Sequence, residues 1–161
     1  SQVLVGIALI SNLISFHFKK RATVLGLLTL SVSLVAAHLF LLGQTTAGLL
    51  TLYAVVYFLV STRSTDQKIM WAFMAGAAAI FIYTYSSWLD WFVMLSTVLT
   101  LLSIYNPDQK RMREFQFGGT VTRIIYYSII YSPVGLLLEA TLLFSNITSF
   151  QLKIFKNLLC N

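Results

Sequence analysis

Residues 19–46 read KKRATVLGLLTLSVSLVAAHLFLLGQTT: a basic cluster, a charge-poor and mostly apolar run from Ala22 to Leu42, and a polar turn at Gly43 to Thr46. A helix crossing a bilayer needs roughly 17 to 25 mostly apolar residues, which is the length of this run. Its two flanks give it a direction, because Lys and Arg collect on the cytoplasmic side of a membrane. Working outward, comparable charge-poor runs fall at 3–18, 22–42, 45–61, 68–85, 88–105, 115–131 and 134–152. Backbone in hydrocarbon must satisfy its hydrogen bonds within the segment, so each run is expected to be helical. A transmembrane barrel would need alternating segments of about ten residues, and these runs do not alternate. The expected fold is an all-α integral membrane protein with seven transmembrane helices.

Composition agrees. The 161 residues are 58% hydrophobic and 10% charged, with mean hydropathy +0.81, whereas soluble domains carry about 25% charged residues. The net charge of +6 comes from short clusters between apolar runs, a topology signal rather than a nucleic-acid surface. Cys160 stands alone and cannot form an internal disulfide. The run Val3 to Phe18 lacks a basic flank before it and a small-residue cleavage motif after it, so it reads as a first span rather than a signal peptide.

Threading the chain through seven spans sorts the charges. Lys19, Lys20 and Arg21, then Arg63 and Lys68, then Lys110, Arg111 and Arg113, and finally Lys153 and Lys156 all fall on one face. The other face receives Ser1 and Gln2, the turn at Gly43, the Ser86–Ser87 turn with Asp90, and the Ser132–Pro133 turn, with no Lys or Arg. The expected orientation is N-terminus outside and C-terminus cytoplasmic. Tyr83, Tyr85, Trp88 and Trp91 gather at the non-basic end, where an aromatic belt is expected.

The order helix, basic loop, helix, very short turn, helix occurs twice. A shift of about 87 residues sets Gly48 on Gly135 and brings the Lys19–Arg21 cluster near Lys110–Arg113. This predicts two three-helix repeats, 1–62 and 88–161, joined by a linker helix within 63–87. An odd linker makes the two units run parallel, as in transporters built from repeats about the membrane normal.

Several polar groups lie inside the apolar runs. Arg123, near the middle of the sixth, costs about 2.5 to 3.5 kcal/mol to insert and needs a partner. Glu139 lies about one turn away in depth on the next helix, within reach of an Arg side chain. The pair suits a substrate cavity, a purely structural buried ion pair, or a snorkelling Arg123. Gly135, Glu139 and Asn146 share one helical stripe. Asn146 suits an interhelical hydrogen bond equally well. His38, seven residues after Ser31, could face the same centre or simply pack. Tyr53, Tyr57, Tyr126 and Tyr127 offer aromatic walls with hydroxyl handles, for a solute or for packing. Ala72, Ala75, Gly76 and Ala79 on the fourth run resemble a close-packing motif. His17, His38 and Cys160 are isolated, so no metal spacing exists. No phosphate loop and no nucleophile with an evident base appear either. Neither an enzyme nor a cofactor is expected.

The stretch His38-Leu39-Phe40-Leu41-Leu42-Gly43, then Ala47-Gly48 and Arg63, with Gly135, Glu139 and Asn146 in the second half, resembles the YgjV-like bacterial inner-membrane proteins. The sequence departs from that pattern at Tyr126-Tyr127, where a His-Asn pair is expected, at Ala54 in place of Asn, and at Arg123 in place of an apolar residue. The three-plus-one-plus-three layout is similar to SWEET sugar transporters, PnuC-type vitamin transporters, PQ-loop carriers and KDEL receptors. Fold does not fix function. The resemblance implies a bacterial inner-membrane location. Together these readings predict a small-solute transporter for a sugar-like, nucleoside-like or vitamin-like substrate, by facilitated diffusion, with His38, Tyr57, Arg123, Tyr126, Glu139 and Asn146 as substrate-binding residues. The expected partners are the lipid bilayer and a small polar solute, not nucleic acid. The alternative is a non-transporting receptor or accessory subunit of the same fold.

Overall fold

The computed structural model describes residues 2–15, 21–64 and 66–144. Every regular element among them is helical: α1 (Gln2–Ser15), α2 (Arg21–Leu41), α3 (Thr45–Ser61), α4 (Gln67–Thr84), α5 (Asp90–Ile104), α6 (Gln109–Ile129) and α7 (residues 133–144). The expected all-α class is therefore present. Asn146, Lys19, Lys20, Lys153, Lys156, His17 and Cys160 lie outside the described residues.

Among the described residues, no helix is long and apolar enough to cross a membrane. Two causes are visible for four of the helices. Helices α1, α3 and α5 have 14, 17 and 15 residues, about 21 to 26 Å at 1.5 Å per residue. Helix α6 has 21 residues, but it opens well before the expected start at 115 and carries Lys110, Arg111, Arg113, Glu114 and Arg123. The basic cluster expected in the loop before this helix therefore lies within its first turns. Asp108 sets that start: its carboxylate accepts from the Lys110 backbone N–H at 3.0 Å, the ordinary capping role of Asp. Asp66 caps α4 on Lys68 in the same way.

The helices pack as neighbours in sequence, α1 on α2, α2 on α3 and α5 on α6, while α3, α4 and α5 all touch one another. One apolar core joins Val5, Val35, Leu39, Tyr126, Tyr127 and Leu138. A second joins Ala54, Tyr57, Met70, Leu101 and Tyr105. Helix α4 buries Met70, Ala77 and Phe81, so its inward face is not the small-residue stripe. Ala72, Ala75 and Ala79 are exposed, whereas Gly76 lies against the Tyr53 hydroxyl of α3. Met70 and Phe81 flank the small, fully buried Ala77 on the inward face.

The two ends of the chain match in detail. Gln2 and Asp90 open α1 and α5, Arg21 and Gln109 open α2 and α6, and residues 45 and 133 open α3 and α7, each pair 88 residues apart. Helices α2 and α6 stop in the same kind of turn. In the first, the Gln44 N–H donates to Leu39 O across Gly43, whose φ is +75°; in the second, Ser132 N–H donates to Tyr127 O across Tyr131, at φ +53°. This left-handed closure satisfies the orphan carbonyls of a helix end and normally uses glycine. The crossings match too. Ser31 Oγ of α2 donates to Ala8 O of α1, and Gly119 of α6 lies against Ser96 O of α5; both members are again displaced by 88.

Candidate functional site

The charged centre is built by α5, α6 and α7. Arg123 Nε donates to Glu139 Oε1 at 2.8 Å. Arg123 Nη1 donates to Ser96 Oγ at 3.0 Å and to Thr100 Oγ1 at 3.1 Å, and Nη2 to Thr120 Oγ1 at 3.4 Å. Ser96 and Thr100 stand one turn apart on one face of α5, and Thr120 precedes Arg123 by three residues on α6, so each hydroxyl follows from helical spacing. The Arg123 side chain keeps 28% of its exposure and that of Glu139 only 5%. The cluster is thus open on the arginine side and closed around the carboxylate. Glu139 Oε2 is buried with no hydrogen-bond partner, an arrangement that costs the desolvation of that oxygen.

The remaining candidate residues go elsewhere. Tyr57 is buried, but its ring packs edge-on against Tyr53 and Phe73, with centroids 6.1 and 6.0 Å away. The aromatic faces of Tyr53 and Tyr57 are therefore engaged with each other and with Phe73. His38 and Tyr126 take part in a different construction. His38 Nε2 and Ser132 Oγ are 3.0 Å apart, and the Tyr126 hydroxyl donates to Gln44 Oε1 at 3.2 Å. His38 and Tyr126 are 88 residues apart, and so are Gln44 and Ser132. Each half thus sends a side chain from its long helix to the turn that ends the other half's long helix. Beneath this seam Phe40 lies over Gly48 and Tyr127 over Gly135, where an added Cβ would meet the rings at 2.9 and 2.6 Å.

Asp90 is the residue that sequence reading missed, having been assigned to a turn. It is the first residue of α5 and 1% exposed. Its Oδ2 accepts from the backbone N–H groups of Ser86 and Ser87 at 2.8 and 3.1 Å. The same oxygen takes the hydroxyls of Ser86 and Thr46, each at 3.2 Å. Thr46 Oγ1 also lies 2.6 Å from Thr84 O, so the carboxylate ties the α4–α5 turn to the start of α3. A Ser-Ser pair a few residues before an Asp at a helix start was the available signal.

Among the described residues no group of His, Cys, Asp and Glu could hold a metal ion. No curated protein and no solved structure matches the chain. The family model Imp-YgjV, described as a bacterial inner membrane protein, matches residues 1–153; the chain belongs to that family of bacterial inner membrane proteins.

Proposed function

We propose that the chain is a multi-pass transporter that moves a small polar solute across the inner membrane by alternating access, with residues 1–62 and 88–161 as two parallel units linked by α4. The observation that carries this reading is the reciprocal pair of contacts, His38 with Ser132 and Tyr126 with Gln44. Two units that each hold the other's turn form a closed end that can part symmetrically, which is what rocking of one repeat against another requires.

The distribution of side chains supports a lipid surround. Ile82, Trp71 and Val3 are exposed at 75%, 63% and 74%, while Glu139, Asp90, Ser96 and Thr120 are buried. Exposed apolar surface of that extent marks a membrane or protein contact, and polar groups turned inward are the pattern of membrane bundles. Helices shorter than the hydrocarbon core are accommodated by local thinning of the bilayer or by flanking residues. Exposed Tyr83, Tyr85, Trp88, Trp91 and Tyr131 fit an interfacial belt at the non-basic end. Exposed Arg63, Lys68, Lys110 and Arg111 fit a cytoplasmic face at the other. The solute would meet Arg123 and Glu139 between these ends, its passage being facilitated diffusion without a catalysed reaction.

Reconstituted protein should show saturable uptake and counterflow for at least one member of a panel of sugars, nucleosides and vitamins. Glu139→Ala should abolish that flux while protein still reaches the membrane. A solute that binds but never crosses would replace the transporter with a receptor of the same fold.

A further inference from the structure

Arg123 and Glu139 neutralise each other, yet they are unequally satisfied. A guanidinium carries five N–H donors. Here Nε serves Glu139, both Nη1 hydrogens serve Ser96 and Thr100, and Nη2 serves Thr120. Its donors are almost fully engaged. The carboxylate is the reverse: Oε1 is held by Arg123, while Oε2 is buried and has no partner. A site with spent donors and an unpaired acceptor selects its ligand by chemistry. An anion entering it would find a single Nη2 hydrogen left to take it and would face a carboxylate. A hydroxyl or an ammonium would supply the missing bond. In a buried setting a group made to pair with a donor discriminates strongly against ligands that lack one, because the unpaired oxygen keeps its desolvation cost.

We infer that Glu139 Oε2 is the ligand-accepting atom of this protein and that it takes a hydrogen-bond donor, a polyol hydroxyl or an alkylammonium, and excludes carboxylates and phosphates. The ligand enters on the Arg123 side, where the cluster keeps its exposure. This rests on the transporter reading for its meaning but not for its test. The asymmetry of the halves supports a single such site per chain: the positions 88 residues before Arg123 and Glu139 are Val35 and Thr51, which carry no charge.

The test is calorimetric titration of the full chain, purified in detergent, with four probes: sorbitol, ethylammonium, acetate and inorganic phosphate. One of the first two should bind, identifying hydroxyl or ammonium as the donor, and acetate and phosphate should not. Glu139→Gln should weaken the binding at least tenfold. A second variant gives a gain that a purely structural pair would not produce. Thr100→Val frees one Nη1 hydrogen beside the Nη2 hydrogen already unengaged, giving the two donors a carboxylate needs, so acetate should now bind to Thr100→Val protein. Acetate or phosphate binding to the unaltered chain, donor binding undiminished by Glu139→Gln, or no binding of any probe would overturn the inference. Flux of a solute that ignores Glu139→Gln would overturn it while leaving the transporter standing; donor binding without flux would do the opposite.

Discussion

Arg123 Nε and Glu139 Oε1 lie 2.8 Å apart across the α6–α7 packing, with the carboxylate almost wholly buried. Removing one member of a buried pair strands the other, which costs more than removing both. Glu139→Gln should therefore lower stability by about 2 kcal/mol, below the roughly 3 to 5 kcal/mol of fully buried pairs because Arg123 is part exposed. In an Arg123→Leu background the same change should cost less than half as much. Thermal unfolding of the four proteins of this cycle measures the coupling, and additive losses would mean that the pair contributes nothing jointly.

The seam formed by His38 with Ser132 and Tyr126 with Gln44 should resist opening from the non-basic end. Each bond is worth about 1 kcal/mol, so His38→Ala combined with Tyr126→Phe should shift the population of an opened form roughly 30-fold if both bonds are lost on opening. Ser96→Cys in a Cys160→Ser background reports on this. An impermeant maleimide applied from the non-basic side should label it faster in the double variant. Unchanged labelling would mean that the seam does not gate the interior.

Asp90 is bound by two backbone N–H groups and two hydroxyls. Asp90→Ala would leave buried donors without an acceptor, at a cost of about 1 to 3 kcal/mol for each one that water cannot reach. A loss of roughly 3 kcal/mol in total is expected. Thr46→Val, which removes one of the four contacts to Asp90, should cost about 1 kcal/mol. Chemical denaturation in detergent distinguishes the two; equal losses would argue that Thr46 rather than the carboxylate organises the turn.

Orientation can be read by thiol labelling in the Cys160→Ser background. Trp88→Cys, exposed at the non-basic end, should react with an impermeant maleimide in cells whose outer membrane alone is opened. Arg63→Cys should react only after the inner membrane is breached. The reverse order would invert the proposed topology.

Much of this architecture is visible in the sequence because apolar runs and helices share a length scale. Five helix starts, in α1, α2, α3, α4 and α7, fall within one residue of the run boundaries. The start of α6 does not, since hydropathy sees Lys110, Arg111 and Arg113 as loop, whereas Asp108 caps a helix there. A rule of capping reads that boundary where a rule of apolarity cannot. The Arg123–Glu139 contact is legible because a lone buried charge demands a partner at its own depth. Ser96, Thr100 and Thr120 are not, because a hydroxyl in a helix bonds its own backbone as readily as a distant guanidinium. The seam is the least legible feature. His with Ser and Tyr with Gln share no residue type, and their correspondence emerges only from the 88-residue displacement of the helices that carry them.

The two left-handed turns have a practical corollary for whoever next handles this protein. Glycine occupies such a turn freely, but Tyr131 holds it at a cost of roughly 1 kcal/mol, and the residue is 89% exposed. Tyr131→Gly or Tyr131→Asn therefore discards strain and little buried surface, and either should raise the melting temperature by a few degrees. A sturdier preparation would follow from one codon change, eight residues from both Arg123 and Glu139 and patterned on the solution that Gly43 already supplies.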